Sequence, residues 1–302
     1  MAKNHASIYS ALVADVLIAV TKFFAGAYTQ SSSMIAEGIH SLVDTTNQLL
    51  LLYGLKRSKK PPDKRRPFGY GKELYFWSFI VCILIFGLGG GLSIYQGIVH
   101  ILHPEPLKNI GWNYAVLGFS FFFDGLSFVI AAREFNKTRG ELSFWRAIVT
   151  SKDPPSFLVL FEDGAAVLGL VVVFILMVCN HAFHLPVLDG VASLLVGLIL
   201  VFVSLILARE SRSLLMGEGI APETQKKIKI LVEKDEAVMK VSNILSTYQS
   251  PEEVILMLIV QFKPNLDTED ITDAIARIEN TIKEKFDRVE FILIQPQAKS
   301  LP

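Results

Sequence analysis

The sequence predicts an α-helical membrane protein: a six-helix transmembrane domain over residues 1–216, then a small cytoplasmic α/β domain of αββαβ, ferredoxin-like order over residues 217–302. Three observations predict it. Hydrophobic residues make up 51% of the 302 positions and charged ones only 19%, with a mean hydropathy of +0.44. A water-soluble fold could not cover so much apolar side chain with so few charges, so the bilayer is its natural solvent. Six segments approach the roughly 20 apolar residues that a spanning helix needs. After Met216 the pattern changes to short alternating strands and amphipathic helices.

The six segments are residues 7–28, 31–55, 76–102, 112–132, 155–178 and 187–208. The first follows MAKNHAS with no small-residue cleavage pattern, and is expected to be a retained span rather than a signal or transit peptide. The second is interrupted by Glu37, His40, Asp44, Asn47 and Gln48. In the tail, residues 222–234 read as a helix with Pro222 in its first turn. Residues 241–248 and 254–262 read as strands separated by Gln249, Ser250 and Pro251. Residues 268–286 place Ile271, Ala274, Ile275, Ile278 and Ile282 at helical spacing, and 289–294 read as a last strand.

Lys and Arg crowd alternate loops. Eight lie between spans two and three, from Lys56 to Lys72, and Arg133, Lys137, Arg139, Arg146 and Lys152 lie between spans four and five. Arg209 and Arg212 follow span six, whereas the opposite side holds Lys108 as its exception. Cytoplasmic loops carry the basic excess, which puts both termini in the cytoplasm and His181 and His184 outside. From Glu218 onward 15 acidic and 11 basic residues give a net charge of −4. No basic surface of the nucleic-acid kind emerges, so that partner class is set aside. Cys82 and Cys179 sit inside apolar runs without a pairing pattern and read as small core hydrophobes.

Charged groups inside a span are costly and face the bundle interior or a water-filled path. Glu37, His40 and Asp44 fall at i, i+3 and i+7 of span two, on one helix face. Glu162 and Asp163 lie about two turns into span five, and Asp124 lies near the centre of span four. Imidazole suits zinc and its neighbours, and carboxylates suit these and harder ions such as manganese. Inward-projecting ligands of this kind can build a metal site in a helix bundle. Asp124 reads as a relay carboxylate or a partner for a neighbouring span, and Asn47 as a helix contact or weak ligand. Asp15, Lys22 and Asp189 read as snorkelling or interhelical pairs.

The stretches SSSMIAEGIHSLVD, RPFGYGKE, LFEDGAAVLG and LDGVASLLVGLILVFVSLILARES resemble the cation diffusion facilitator transporters over nearly the whole chain, and look most like the zinc transporter nine-like branch. The resemblance implies a homodimer, held through the C-terminal domain, that exports divalent metal from the cytoplasm in exchange for protons by alternating access. Zinc is the expected ion, with manganese, cobalt and iron as the others. It implies no cofactor and no enzyme activity, and the notional setting is a plasma (inner) membrane. Carried over, His40 and Asp44 are the span-two ligands and Asp163 is one of the span-five pair. The other falls on Val159, so Glu37 or Glu162 is expected to complete the set. In the loop after span two only Asp63 remains of the family's ligands, and residues 217–302 contain no His or Cys. The alternative is a transport-deficient or metal-sensing membrane scaffold of the same fold.

Overall fold

A computed structural model describes residues 2–105, 110–138, 143–144, 147–148 and 151–297, with side chains from residue 16 onward. Lys108, Arg139, Arg146 and the Asp15 side chain lie outside the described residues. The chain divides into two compact units, Met1–Lys56 with Phe76–Arg212, and Arg57–Tyr75 with Ser213–Pro302.

The first unit is helical. Its elements are α1 (Ala2–Thr29), α2 (Ser32–Ser58), α3 (Glu73–Leu84), a π-helical stretch (Ile85–Gly91), α4 (Leu92–Leu102), α5 (Ile110–Thr138), α6 (Pro154–Phe183) and α7 (Val187–Met216). Among the described residues four helices are long and apolar enough to cross a membrane: Glu73–Leu102 (α3 through α4), Ile110–Lys137, Pro154–Phe183 and Val187–Met216. The expectation of six is met in part. α1 contributes a shorter apolar helix, Val16–Thr29. α2 is long, but the polar and charged residues it carries take it below the apolarity of a lipid-facing span. It compensates by burial, with Met34, Ala36, Glu37, His40, Asn47 and Leu51 among its buried residues. The core around it is apolar and drawn from α1, α2, α3, α5, α6 and α7, including Ala25, Val43, Val81, Leu117, Phe157, Leu170 and Val196. Cys82 is buried and Cys179 partly so, and both are free thiols.

The Glu73–Leu102 span and α7 meet through a seam of small residues. Gly90, Ser93 and Gly97 face Gly190, Ser193 and Gly197, with the same spacing on each helix. A Cβ on Gly97 would lie 2.6 Å from the Leu194 nitrogen and 2.8 Å from the Gly190 carbonyl oxygen. One on Gly197 would lie 2.7 Å from the Ile94 nitrogen. The Ser193 hydroxyl donates to the Ser93 carbonyl at 2.9 Å. In lipid, where hydrophobic exclusion between helices is weak, close backbone approach of this kind supplies the packing.

The second unit holds α8 (Pro222–Val232), β1 (Val238–Ser250), β2 (Glu253–Phe262), α9 (Thr268–Lys285) and β3 (Val289–Pro296), the order expected from the sequence. β1 and β2 are antiparallel, and β2 and β3 parallel. α9 supplies the crossover that a parallel pair requires. It opens on a capping box in which Asp267 and Asp270 accept each other's backbone N–H. Its buried Ala274, Ile278 and Ile282 join Ile228, Val241, Leu256, Leu258 and Val289 in a core of their own.

The seam predicts that Gly97→Val lowers the denaturation midpoint of the detergent-solubilised protein, a cost of about 3 kcal/mol from overpacking. Gly87→Ala should be neutral or stabilising, since a Cβ there meets nothing within 4 Å.

Candidate functional site

α2 is positioned from its N-terminus. The Asp189 carboxylate of α7 accepts hydrogen bonds from the Ser32 backbone N–H at 2.6 Å and that of Ser33 at 3.3 Å. It also accepts from the hydroxyls of Ser31, Ser32 and Ser33. A carboxylate at this point satisfies the helix's first orphan donors and complements its dipole. Asp189 is thus an interhelical anchor, and His100 Nε2 lies 3.7 Å from it.

Down α2 the polar residues meet different partners. Glu37 Oε2 pairs with Lys22 Nζ of α1 at 3.1 Å, and both side chains are wholly buried. His40 Nδ1 lies 3.4 Å from Asp44 Oδ1, one turn on. Asn47 donates from its amide nitrogen to Glu162 Oε1 of α6 at 2.7 Å. Asp163 accepts from the Ser127 hydroxyl of α5 at 2.7 Å. Lys22 also donates to Ser41 Oγ at 2.9 Å and reaches Asp124 Oδ2 at 3.4 Å.

These contacts sort the residues expected to act together. A cavity of about 270 Å³ is lined by the carboxylates Asp44, Asp124 and Asp163, with Ser41, Gln48 and Ser127 among its other walls. Asp44 and Asp163 therefore share one space, and Asp124 joins them from α5. His40 is 2% exposed and stands behind the cavity, touching Asp44. Glu37 and Glu162, the two residues expected to complete a ligand set, face Lys22 and Asn47 instead. Among the described residues, no group of three or more His, Cys, Asp or Glu side chains is gathered closely enough to hold a metal ion. The carboxylates line a space rather than close on a point.

Lys22, expected to snorkel or to pair between helices, does pair between helices, but sequence reasoning missed its place beside the cavity. The signal was there, since it stands within the apolar run AVTKFF. Outside the spans, Asp63 is engaged by its own loop. It accepts from the Tyr70 hydroxyl at 2.6 Å and from the Arg66 and Arg65 N–H groups at 2.8 Å. These bonds, the Tyr70 one foremost, hold its carboxyl below the usual range.

A family model described as the cation efflux transmembrane domain matches residues 8–216. The proton-coupled zinc antiporter SLC30A9, mitochondrial, of Xenopus laevis is 36% identical over 248 residues, which cover 82% of this chain and 43% of that protein. Metal tolerance protein C4 of Arabidopsis thaliana is 32% identical over 265 residues, 86% of this chain and 56% of that one. The manganese efflux system protein MneP of Bacillus subtilis is 24% identical over 287 residues, 94% of this chain and 92% of its own length. The chain thus spans less than half the length of the frog relative.

The geometry separates two adjacent carboxylates. Glu162→Gln keeps the bond to Asn47 and should leave the affinity for a divalent probe ion, read by calorimetry, within a factor of about two. Asp163→Asn, which alters the cavity wall, should weaken it about ten-fold or more.

Proposed function

Since the chain belongs to the cation efflux family and is similar over most of its length to its SLC30A9 branch, we propose that it carries a divalent metal ion out of the cytoplasm in exchange for protons. The observation that carries this reading is the cavity shared by Asp44, Asp124 and Asp163, carboxylates from three helices. Zinc is the first ion to expect, in line with the relatives named zinc antiporters. The three carboxylates in that lining also suit the harder manganese, the ion in the name of the Bacillus relative. Cobalt and iron follow.

Metal ligands must be deprotonated to bind, so metal and protons compete for the same groups. His40 and Asp44, 3.4 Å apart, and Asp163 are the groups over which they compete. The ion is taken up on Asp44 and Asp163 from the side where the basic loops lie and is displaced by protons on the other. His40 supports Asp44 from behind. Among the described residues the His40 ring nitrogens and Asp44 Oδ1 are buried without a hydrogen-bond partner, as expected of a pair kept ready for a cation or a proton. The reading places both termini in the cytoplasm of a cell whose plasma (inner) membrane holds the protein, because the basic loops share that side.

The working unit in this reading is a homodimer. On the sheet of the second unit, the register aligns Leu245, Met257 and Leu293 in one row, and Thr247, Ile255 and Phe291 in the next. Leu245, Leu293 and Phe291 are exposed, an apolar face that a second copy would cover.

In proteoliposomes, Asp44→Ala and His40→Ala should each abolish most metal-driven proton movement. Undiminished movement in both variants would sink the proposal. Absence of flux in the unaltered protein, with the dimer intact, would favour the transport-deficient scaffold. Leu293→Asp should shift the detergent-solubilised protein toward monomer by light scattering, and an unchanged mass would overturn the dimer face.

A further inference from the structure

A cation stands behind the cavity wall. Lys22 is fully buried and is the only buried lysine or arginine among the described residues. Its ammonium has three protons, and three oxygens surround it: Glu37 Oε2 at 3.1 Å, Ser41 Oγ at 2.9 Å and Asp124 Oδ2 at 3.4 Å. Two of these partners, Ser41 and Asp124, also line the cavity with Asp44 and Asp163. The charge therefore stands directly behind the space assigned to the ion, at the junction of α1, α2 and α5.

Pairing with Glu37 alone would be enough to neutralise a buried lysine. The reach to Asp124 is the informative contact, because Asp124 is one of three carboxylates on the cavity. A carboxylate held by an ammonium is a poorer ligand, and a fixed positive charge in a low-dielectric wall repels an arriving cation. Both effects weaken binding, and a transport site needs an ion bound loosely enough to leave. We propose that Lys22 acts as a tethered cation that withholds Asp124 from the transported ion, so that the ion is held by the Asp44 and Asp163 carboxylates and can be released. Lys22 is then a positioning residue, acting on the ion through Asp124. The inference rests on the reading of the cavity as the ion's site.

The test compares zinc and manganese affinity, by calorimetry on the full-length protein in detergent, for a series of variants. Removing Lys22 alone strands Glu37 as a buried unpaired charge, so the main variant is Lys22→Met with Glu37→Gln, which deletes both charges of the pair. It should bind metal about ten-fold or more tightly, with a lower KM and a lower maximal flux in proteoliposomes. Adding Asp124→Asn should cancel the gain. Lys22→Gln with Glu37→Gln, a pair of neutral amides able to bond each other in place of the two charges, should show the same tightening and guards against misfolding of the Met variant. Unchanged affinity in both Lys22 variants, or a gain that survives Asp124→Asn, overturns the proposal and leaves Lys22 as a counter-ion for Glu37. Absence of metal binding by the unaltered protein overturns the cavity reading and this one together, whereas binding that Asp44→Asn abolishes upholds the cavity reading whatever Lys22 does.

Discussion

The membrane-embedded unit is organised around the cost of burying α2. In hydrocarbon a polar group that finds no partner costs several kcal/mol, and α2 carries Glu37, His40, Asp44, Asn47 and Gln48 in little more than three turns. Each neighbouring helix answers part of that demand. α7 offers Asp189 to the first N–H groups, α1 offers Lys22 to Glu37, and α6 offers Glu162 to Asn47. The apolar faces of the same helices keep lipid away. What these partners leave over is Asp44 and Gln48 on the cavity and His40 behind it, so the site is the part of α2 that the fold does not answer.

This division of labour explains why carboxylates close together in sequence do different work. Glu162 and Asp163 are adjacent on α6 and so point about 100° apart around the helix. One turns to Asn47 and the other to the cavity and Ser127. Glu37 and Asp44 share a face of α2 but lie about 10 Å apart along its axis. That separation allows Lys22 to engage the first while leaving the second free to line the open space. The second unit is simpler, its three strands and two helices packed on a single apolar core.

Much of this was legible in the sequence, and the rest failed for identifiable reasons. The His40–Asp44 contact was readable because both ends sit on one helix, where a four-residue spacing dictates proximity. The tail's helices and strands were readable because their apolar periodicity and turn residues agree. The fates of Glu37 and Glu162 were not readable, because each is decided by a partner on another helix, Lys22 and Asn47 respectively, and no periodicity links those positions. The role of Asp189 was hidden in the same way, since its partners lie more than 150 residues earlier. α2 has the length of a span, but its polar interruptions make it the weakest of the six by hydropathy. The structure shows the consequence of that polarity in its enclosure by apolar neighbours.

The glycine seam bears on how such a unit could move. Two backbones in contact at Gly90, Gly97, Gly190 and Gly197 resist sliding past one another, because an axial shift drives side-chain-bearing neighbours toward carbonyl oxygens only 2.8–3.1 Å from where a Cβ would stand. The Glu73–Leu102 span and α7 therefore behave as one stiff strut. In the proposed transport cycle that strut would be the fixed element, and the helices bearing Lys22, Asp44, Asp124 and Asp163 those left to move against it.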